Sequence, residues 1–133
     1  MFHASADGRG FAVSGGVAEA VVHAVKRIDP DREVKVMNAE GLQNCKKMLQ
    51  MAKIGKYNGY LLEGMACPGG CINGGGQPYK EDAVMVEERR HVLYGLDKRD
   101  NLRFSHENPS VKQCYEEYFE KPLSHRAHEI LHV

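Results

Sequence analysis

The stretch VKVMNAEGLQNCKKMLQMAKIGKYNGYLLEGMACPGGCINGGGQP, residues Val34–Pro78, decides the fold. Val34 to Met37 is short and β-branched at alternate positions, the pattern of a strand. Asn38 stands after it as a helix cap, and Leu42, Cys45, Leu49 and Ala52 then recur on one helical face until Gly55 ends the run. Tyr60, Leu61 and Leu62 form a second apolar run directly ahead of a cysteine loop. Strand, helix and strand in that order predict two parallel strands joined by a crossover helix. Sites in open parallel sheets gather beyond the carboxyl ends of the strands, where the loop MACPGGCINGGGQP, Met65 to Pro78, begins.

Working outward, Val17, Ala20, Val21, Ala24, Val25 and Ile28 follow Gly15 and Gly16 at helical spacing, and Pro30 stops them. Downstream, Glu81 to Tyr94 reads as a charged helix and Gly95 to Arg103 as a polar connection. Asn108 and Pro109 are a cap and first-turn pair for a helix bearing Val111, Cys114, Tyr115, Tyr118 and Phe119. Pro122 breaks it, and Ser124 caps a last short helix running to Val133. The expected fold class is α/β: a partial parallel sheet with a βαβ unit and a cluster-binding loop, followed by an α-helical C-terminal tail. A boundary near Asn101 divides residues 1–100 from a helical piece, 101–133, whose aromatic stripe needs something to dock on.

The chain's 133 residues suit one folding unit with a modest core. Lysine and arginine number 18, matched by 18 aspartates and glutamates, so no single-sign field favours nucleic acid or a charged membrane. The apolar run Val17 to Val22 is broken by Glu19 and is far shorter than the roughly 20 residues of a membrane span. MFHASADGRGF lacks the charged and apolar regions of a secretory signal, and a cytoplasmic protein is the expectation. Without secretion, the four cysteines argue against a disulfide framework.

Cys67 and Cys71 offer a thiolate pair to soft metal, while Gly69 and Gly70 let the backbone pass close to a bulky anionic cluster with N–H groups free to donate. A structural zinc site wants four ligands, commonly from two knuckles, and no second knuckle occurs. A glycine-rich turn with two buried thiols is the plainer alternative. Cys45 and Cys114 follow helical periods and read as buried structural thiols. His125, His128 and His132 share a helical face; three converging imidazoles would suit zinc or copper, whereas packing and hydrogen bonding are the commoner use.

The motif MACPGGCINGGGQP resembles the third cysteine motif of the FeFe hydrogenases, which holds part of their H-cluster, a 4Fe-4S cubane bridged to a two-iron subcluster. GFAVSGGVAEAV, Gly10 to Val21, and GLQNCKKMLQMAKIGKYNGYLLEG, Gly41 to Gly64, are similar to the family's segments upstream of that motif. SHENPSVKQCYEEYFEKPLSHRAHEILHV, Ser105 to Val133, resembles its small-subunit region, a separate chain in some members and fused in others.

The resemblance implies that Cys67 is a cubane ligand, that Cys71 is the thiolate bridging cubane and two-iron unit, and that Met65 packs beside the two-iron unit. It implies reversible reduction of protons to dihydrogen, with ferredoxin or a similar carrier as electron donor and maturation proteins to load the cluster. The family's four cluster cysteines come from three motifs, and neither a TSCxPxW-like nor a MPCxxK-like stretch occurs here. The proton-relaying cysteine and the anchoring lysine belong to those motifs, so no residue here takes either role. The expectation is a fragment or a split subunit, inactive alone, completed by the remainder of the catalytic domain.

Two other functions compete. The prelamin A recognition factor-like and cytosolic iron-sulfur assembly proteins share a cysteine motif of this kind without the two-iron unit, and a docking or sensory remnant of the scaffold would need no cluster. Gln77 with Pro78, and the SHENP segment at Ser105 to Pro109, favour the hydrogenase side.

Overall fold

The computed structural model describes residues 4–78 and 83–132. In chain order these form α1 (Ala6–Gly10), α2 (Gly16–Ile28), β1 (Lys35–Glu40), α3 (Leu42–Lys53), β2 (Tyr60–Met65), a 3-10 turn at Cys71–Asn73, α4 (Ala83–Arg99), a second 3-10 turn at Ser105–Glu107, α5 (Pro109–Cys114), a π-turn at Tyr115–Phe119 and α6 (His125–Leu131). β1 and β2 pair in parallel, from Lys35 opposite Tyr60 to Glu40 opposite Met65. The α/β class and the helical C-terminal region are as the sequence implies.

Neighbouring strand residues point to opposite faces of a sheet, and each face here has its helix. A side chain at Gly64 would meet Cys45 Sγ of α3 at 3.2 Å, whereas its neighbour Glu63 reaches α2. The absence of a side chain at Gly64 is what lets α3 lie close. Cys45 donates to the carbonyls of Ala39 and Met65 at 3.5 and 3.6 Å, and Met48 beside it is buried.

Several local expectations are corrected. Asn38 does not cap α3: it stays inside β1, its amide against the other face, where a Cβ on Gly15 would stand 3.1 Å from it. Gly41, at φ +76°, takes the cap position instead. The inward face of α3 runs through Cys45 and Met48, while Leu42 and Leu49 are 74% and 60% exposed. The close contact between Gly64 and Cys45 sets the rotation of α3 and turns the helix away from the face that the apolar count suggests. The expected connection at Gly95 to Arg103 is helical as far as Arg99, whose Nε closes onto the carbonyl of Gly95 at 3.0 Å. The opening residues of that helix expectation, Glu81 and Asp82, lie outside the described residues, as does Val133.

The C-terminal caps are as expected. Asn108 accepts from the N–H of Ser110 with Pro109 in the first turn, and Ser124 accepts from Ala127. The region beyond α4 is fastened to the start of the chain by Ala6 and Asp7 N–H groups donating to Leu102 and Arg103 carbonyls at 2.8 and 3.0 Å. Ser5 meets Ser105 at 2.9 Å, and Arg9 pairs with Asp100 at 2.9 Å.

The core is thin. Its buried apolar members are Ala6, Val13, Ala18, Ala39, Met48, Ile72 and Ala127, mostly small residues. Large side chains such as Ile28, Leu42, Ile54 and Leu123 face outward.

Glu63 is the polar group this core is built around. It is 8% exposed, and its Oε2 accepts from the N–H of Ala18 at 3.2 Å. Ala18 is in the first turn of α2, whose cap residue Gly15 has no side chain to satisfy those N–H groups. A carboxylate on the neighbouring strand therefore does the capping and complements the positive end of the helix. Glu63→Ala is expected to lower stability by about 1–3 kcal/mol, the cost of a buried donor without its acceptor. Glu63→Gln keeps an acceptor and should lose well under half of that; equal denaturant midpoints for both variants would contradict the capping role.

Candidate functional site: a two-cysteine loop at the strand ends

Parallel pairing brings the carboxyl ends of both strands to the same level, and the loop from Met65 onward is built against that end. The N–H of Gly41 donates to the carbonyl of Met65 at 2.8 Å, closing the sheet. Glu40, the last residue of β1, reaches across with Oε2 and accepts from the N–H of Gly69 at 3.0 Å.

A second segment grips the loop from the other side. Ser14 N–H donates to the carbonyl of Gly69 at 3.2 Å, and Ile72 N–H to that of Ala12 at 3.1 Å. Between these bonds Gly70 adopts φ +91° and ψ −160°, a conformation open in practice to glycine alone. A Cβ there would stand 2.6 Å from the N of Ser14 and 2.7 Å from the carbonyl of Ala12. Gly70 N–H turns back to the carbonyl of Cys67 at 3.0 Å.

Helix α4 forms the third wall. A Cβ on Gly69, at φ +81°, would approach Val86 Cγ1 to 3.2 Å. One turn further along, the Arg89 guanidinium donates to the carbonyls of Ile72 and Pro78 at 2.8 and 2.9 Å. Asn73 and Gln77 then fold their amides onto the carbonyls of Pro68 and Cys71 at 3.1 and 3.2 Å. Buried Ile72 anchors the middle of the loop.

Held this way, the loop presents two free thiols, Cys67 half-buried and Cys71 exposed at the start of the 3-10 turn. Met65 ends β2 and is half-buried. The absence of a side chain at Gly74 leaves room beside Cys67, whose Sγ would lie 3.8 Å from a Cβ there. A thiol pair on a backbone fixed at both ends, with the loop's small residues around it, fits two corners of a soft-metal or iron-sulfur site.

The other cysteines do not join them. Cys45 is packed between α3 and the sheet, in keeping with a structural thiol. Cys114, expected to be buried, is exposed at the end of α5, where the helix widens into the π-turn at Tyr115–Phe119 and the half-buried side chains are Tyr115 and Phe119 instead. His125, His128 and His132 are all exposed, and His128 stacks on His132 with ring centroids 4.8 Å apart. Among the described residues no group of three or more histidines, cysteines, aspartates and glutamates converges as a metal site.

Sequence reasoning found the thiols and missed the residues that hold them. Glu40 looks like one of many charged positions until strand register places it beside the loop. Arg89 looks like part of a solvated charged run, and no local pattern separates it from Arg90, which pairs with Glu87 on the same helix at 3.1 Å.

Residues 1–75 match the family described as the iron only hydrogenase large subunit, C-terminal domain, and residues 82–133 match the iron hydrogenase small subunit. The NADP-reducing hydrogenase subunit HndD of Solidesulfovibrio fructosivorans is 37% identical over 92% of this chain and 26% of its own length. Protein NAR1 of Arabidopsis thaliana is 33% identical over 70% of this chain and 20% of its own. A solved FeFe-hydrogenase from Chlamydomonas reinhardtii superposes with a TM-score of 0.55 at 42% identity, over 70% of this chain and 24% of that one. The chain thus spans about a quarter of the length of the hydrogenases it matches. With Cys67 and Cys71 inside the first match and Arg89 inside the second, the chain belongs to the iron-only hydrogenase family.

Proposed function

We propose that this chain is the C-terminal portion of an FeFe hydrogenase that reversibly reduces protons to dihydrogen, and that it contributes Cys67 and Cys71 as two of the four cysteine ligands of the H-cluster. The observation that carries this reading is the thiol pair on a loop fixed from three sides at the strand ends. When bound, the H-cluster supplies electron relay through its cubane and the reaction centre at its two-iron part.

The chain's own residues supply ligands, geometry and shielding. Half-buried Cys67 would be a cubane ligand and exposed Cys71 the bridging thiolate of the bound group. Gly69 and Gly70 keep the backbone low beneath it. Met65 offers a soft apolar wall where water would otherwise compete. Two thiolates do not complete a cubane, and Cys45 and Cys114 are placed elsewhere, so the other two ligands come from polypeptide outside these residues. Electrons come from ferredoxin or a similar carrier in the cytoplasm, and maturation proteins load the two-iron unit. No described helix is long and apolar enough to cross a membrane.

The competing reading is an iron-sulfur assembly or binding protein, supported by the likeness to NAR1. The match of residues 82–133 to the hydrogenase small subunit favours the enzyme.

In the chain complemented by a polypeptide carrying the two upstream cysteine motifs, anaerobic reconstitution with iron and sulfide should load wild type, Cys45→Ser and Cys114→Ser alike, while Cys67→Ser with Cys71→Ser lowers bound iron at least about tenfold. Iron uptake unaffected by the double substitution would sink the ligand assignment. Hydrogen evolution from a reduced viologen should be absent for the chain alone and appear when it is matured together with a polypeptide carrying the two upstream cysteine motifs. Iron binding without hydrogen evolution in that complemented protein would favour the assembly reading. Gly70→Ala should cost about 1–3 kcal/mol of stability through backbone strain alone, read from the denaturant midpoint.

A further inference from the structure

Arg89 belongs to the region that matches the hydrogenase small subunit, yet its side chain ends on the cysteine loop. Its two terminal nitrogens take different carbonyls, Ile72 immediately after Cys71 and Pro78 at the far end of the glycine run. Between those carbonyls stand Gly74, Gly75 and Gly76, three residues with no side chains to restrain them and the largest backbone entropy to lose. A Cβ placed at Gly75 or Gly76 would meet nothing within 4 Å, so packing does not hold this stretch. What restrains it are two backbone turns, Gly74 N–H to the carbonyl of Cys71 and Gln77 N–H to that of Gly74, with the amides of Asn73 and Gln77 and the fork of Arg89. Of these, Arg89 is the one anchored outside the loop, on a helix whose Val86 also seats against Gly69. Its planar guanidinium spans two acceptors at once, which an ammonium group does not do with the same geometry.

We infer that Arg89 is a positioning residue for the cluster ligands: helix α4, which carries no cysteine, sets the orientation of Cys71 by stapling the backbone on its C-terminal side. The small-subunit region then acts on the metal centre itself, and is more than a tail that packs on the outside. Glu40 performs the corresponding task on the N-terminal side of Cys71 through Gly69, so the thiol stands between an anionic clamp from β1 and a cationic one from α4.

This inference rests on the proposed cluster-binding role, but its first test does not need a cluster. Amide hydrogen exchange of the full chain, followed by mass spectrometry, reads the loop peptides directly. Arg89→Gln should accelerate exchange across residues 70–78 by about tenfold or more, the factor expected when a charged hydrogen-bond donor is lost. Arg89→Lys should recover part of the protection. Arg99→Gln, on the same helix but donating to the carbonyl of Gly95 one turn back, should leave the loop unchanged. Unchanged loop exchange in Arg89→Gln overturns the inference, and so does equal acceleration in β1 and β2, which would mark general loss of fold.

The second test is spectroscopic. With the chain complemented by a polypeptide carrying the two other cluster cysteines and loaded anaerobically with iron and sulfide, the electron paramagnetic resonance signal of the reduced cluster should change in Arg89→Gln and return toward wild type in Arg89→Lys. Identical signals in all three overturn the positioning role. Absence of iron in every variant, wild type included, would count against the proposed function, and the exchange result would still decide this inference.

Discussion

Everything at the site depends on the parallel register of β1 with β2. Asn38 opposite Glu63 and Glu40 opposite Met65 share the face toward α2, while Ala39 opposite Gly64 takes the face toward α3. Side chains alternate with a period of two, so a slip of one residue would exchange the faces. Glu63 would leave the N-terminus of α2, a side chain would replace hydrogen beneath Cys45, and Glu40 would lose Gly69. The register thereby couples a helix cap, a close helix–sheet contact and the grip on the cysteine loop. Each of these makes the shifted pairing costly, and together they fix where the thiols stand.

The loop's order is supplied by its neighbours. Glycines at 69, 70, 74, 75 and 76 give the chain freedom to turn sharply, and freedom of that kind is lost only when something external holds the backbone. Three separate segments provide the hold: residues 12–14 through main-chain bonds, Glu40 through its carboxylate and Arg89 through its guanidinium. They lie far apart in sequence, and both family-matched regions contribute to the hold. The bonds between α1 and residues 102–105 tie those regions together away from the loop.

The sequence made the large features legible because local chemistry decides them. Pro30, Pro109 and Ser124 mark helix ends wherever they occur, and a strand–helix–strand order has few ways to close. The two thiols announced themselves by spacing and by glycine. Features set by tertiary geometry were not legible. Asn38 has the chemistry of a cap but lies opposite Glu63 in the sheet. Leu42 and Leu49 have the period of a buried face but look outward, since the close contact at Gly64 and Cys45 sets the rotation of α3. Gly95 reads as a break, yet α4 continues through it with Arg99 bridging the weakness. Glu40 and Arg89 are ordinary charged residues until the fold gives them the loop.

The same thinness that limits the core bears on the proposed chemistry. An iron-sulfur cluster that activates a small gas molecule needs a dry pocket, because water competes for its open positions and weakens every electrostatic contact around it. Here Cys67 is half-buried, Cys71 is exposed, and the large side chains of Ile28, Leu42 and Ile54 also look into solvent. On the proposed reading, a loop that leaves Cys71 in solvent supplies only one wall of such a pocket. The wall is nevertheless rigid where it matters, since the bonds to Gly69, Ile72 and Pro78 are made within the chain. On the proposed reading, the completing polypeptide brings the remaining ligands and the apolar cover to a thiol pair already oriented by Glu40 and Arg89, so ligand geometry and solvent exclusion come from different parts of the enzyme.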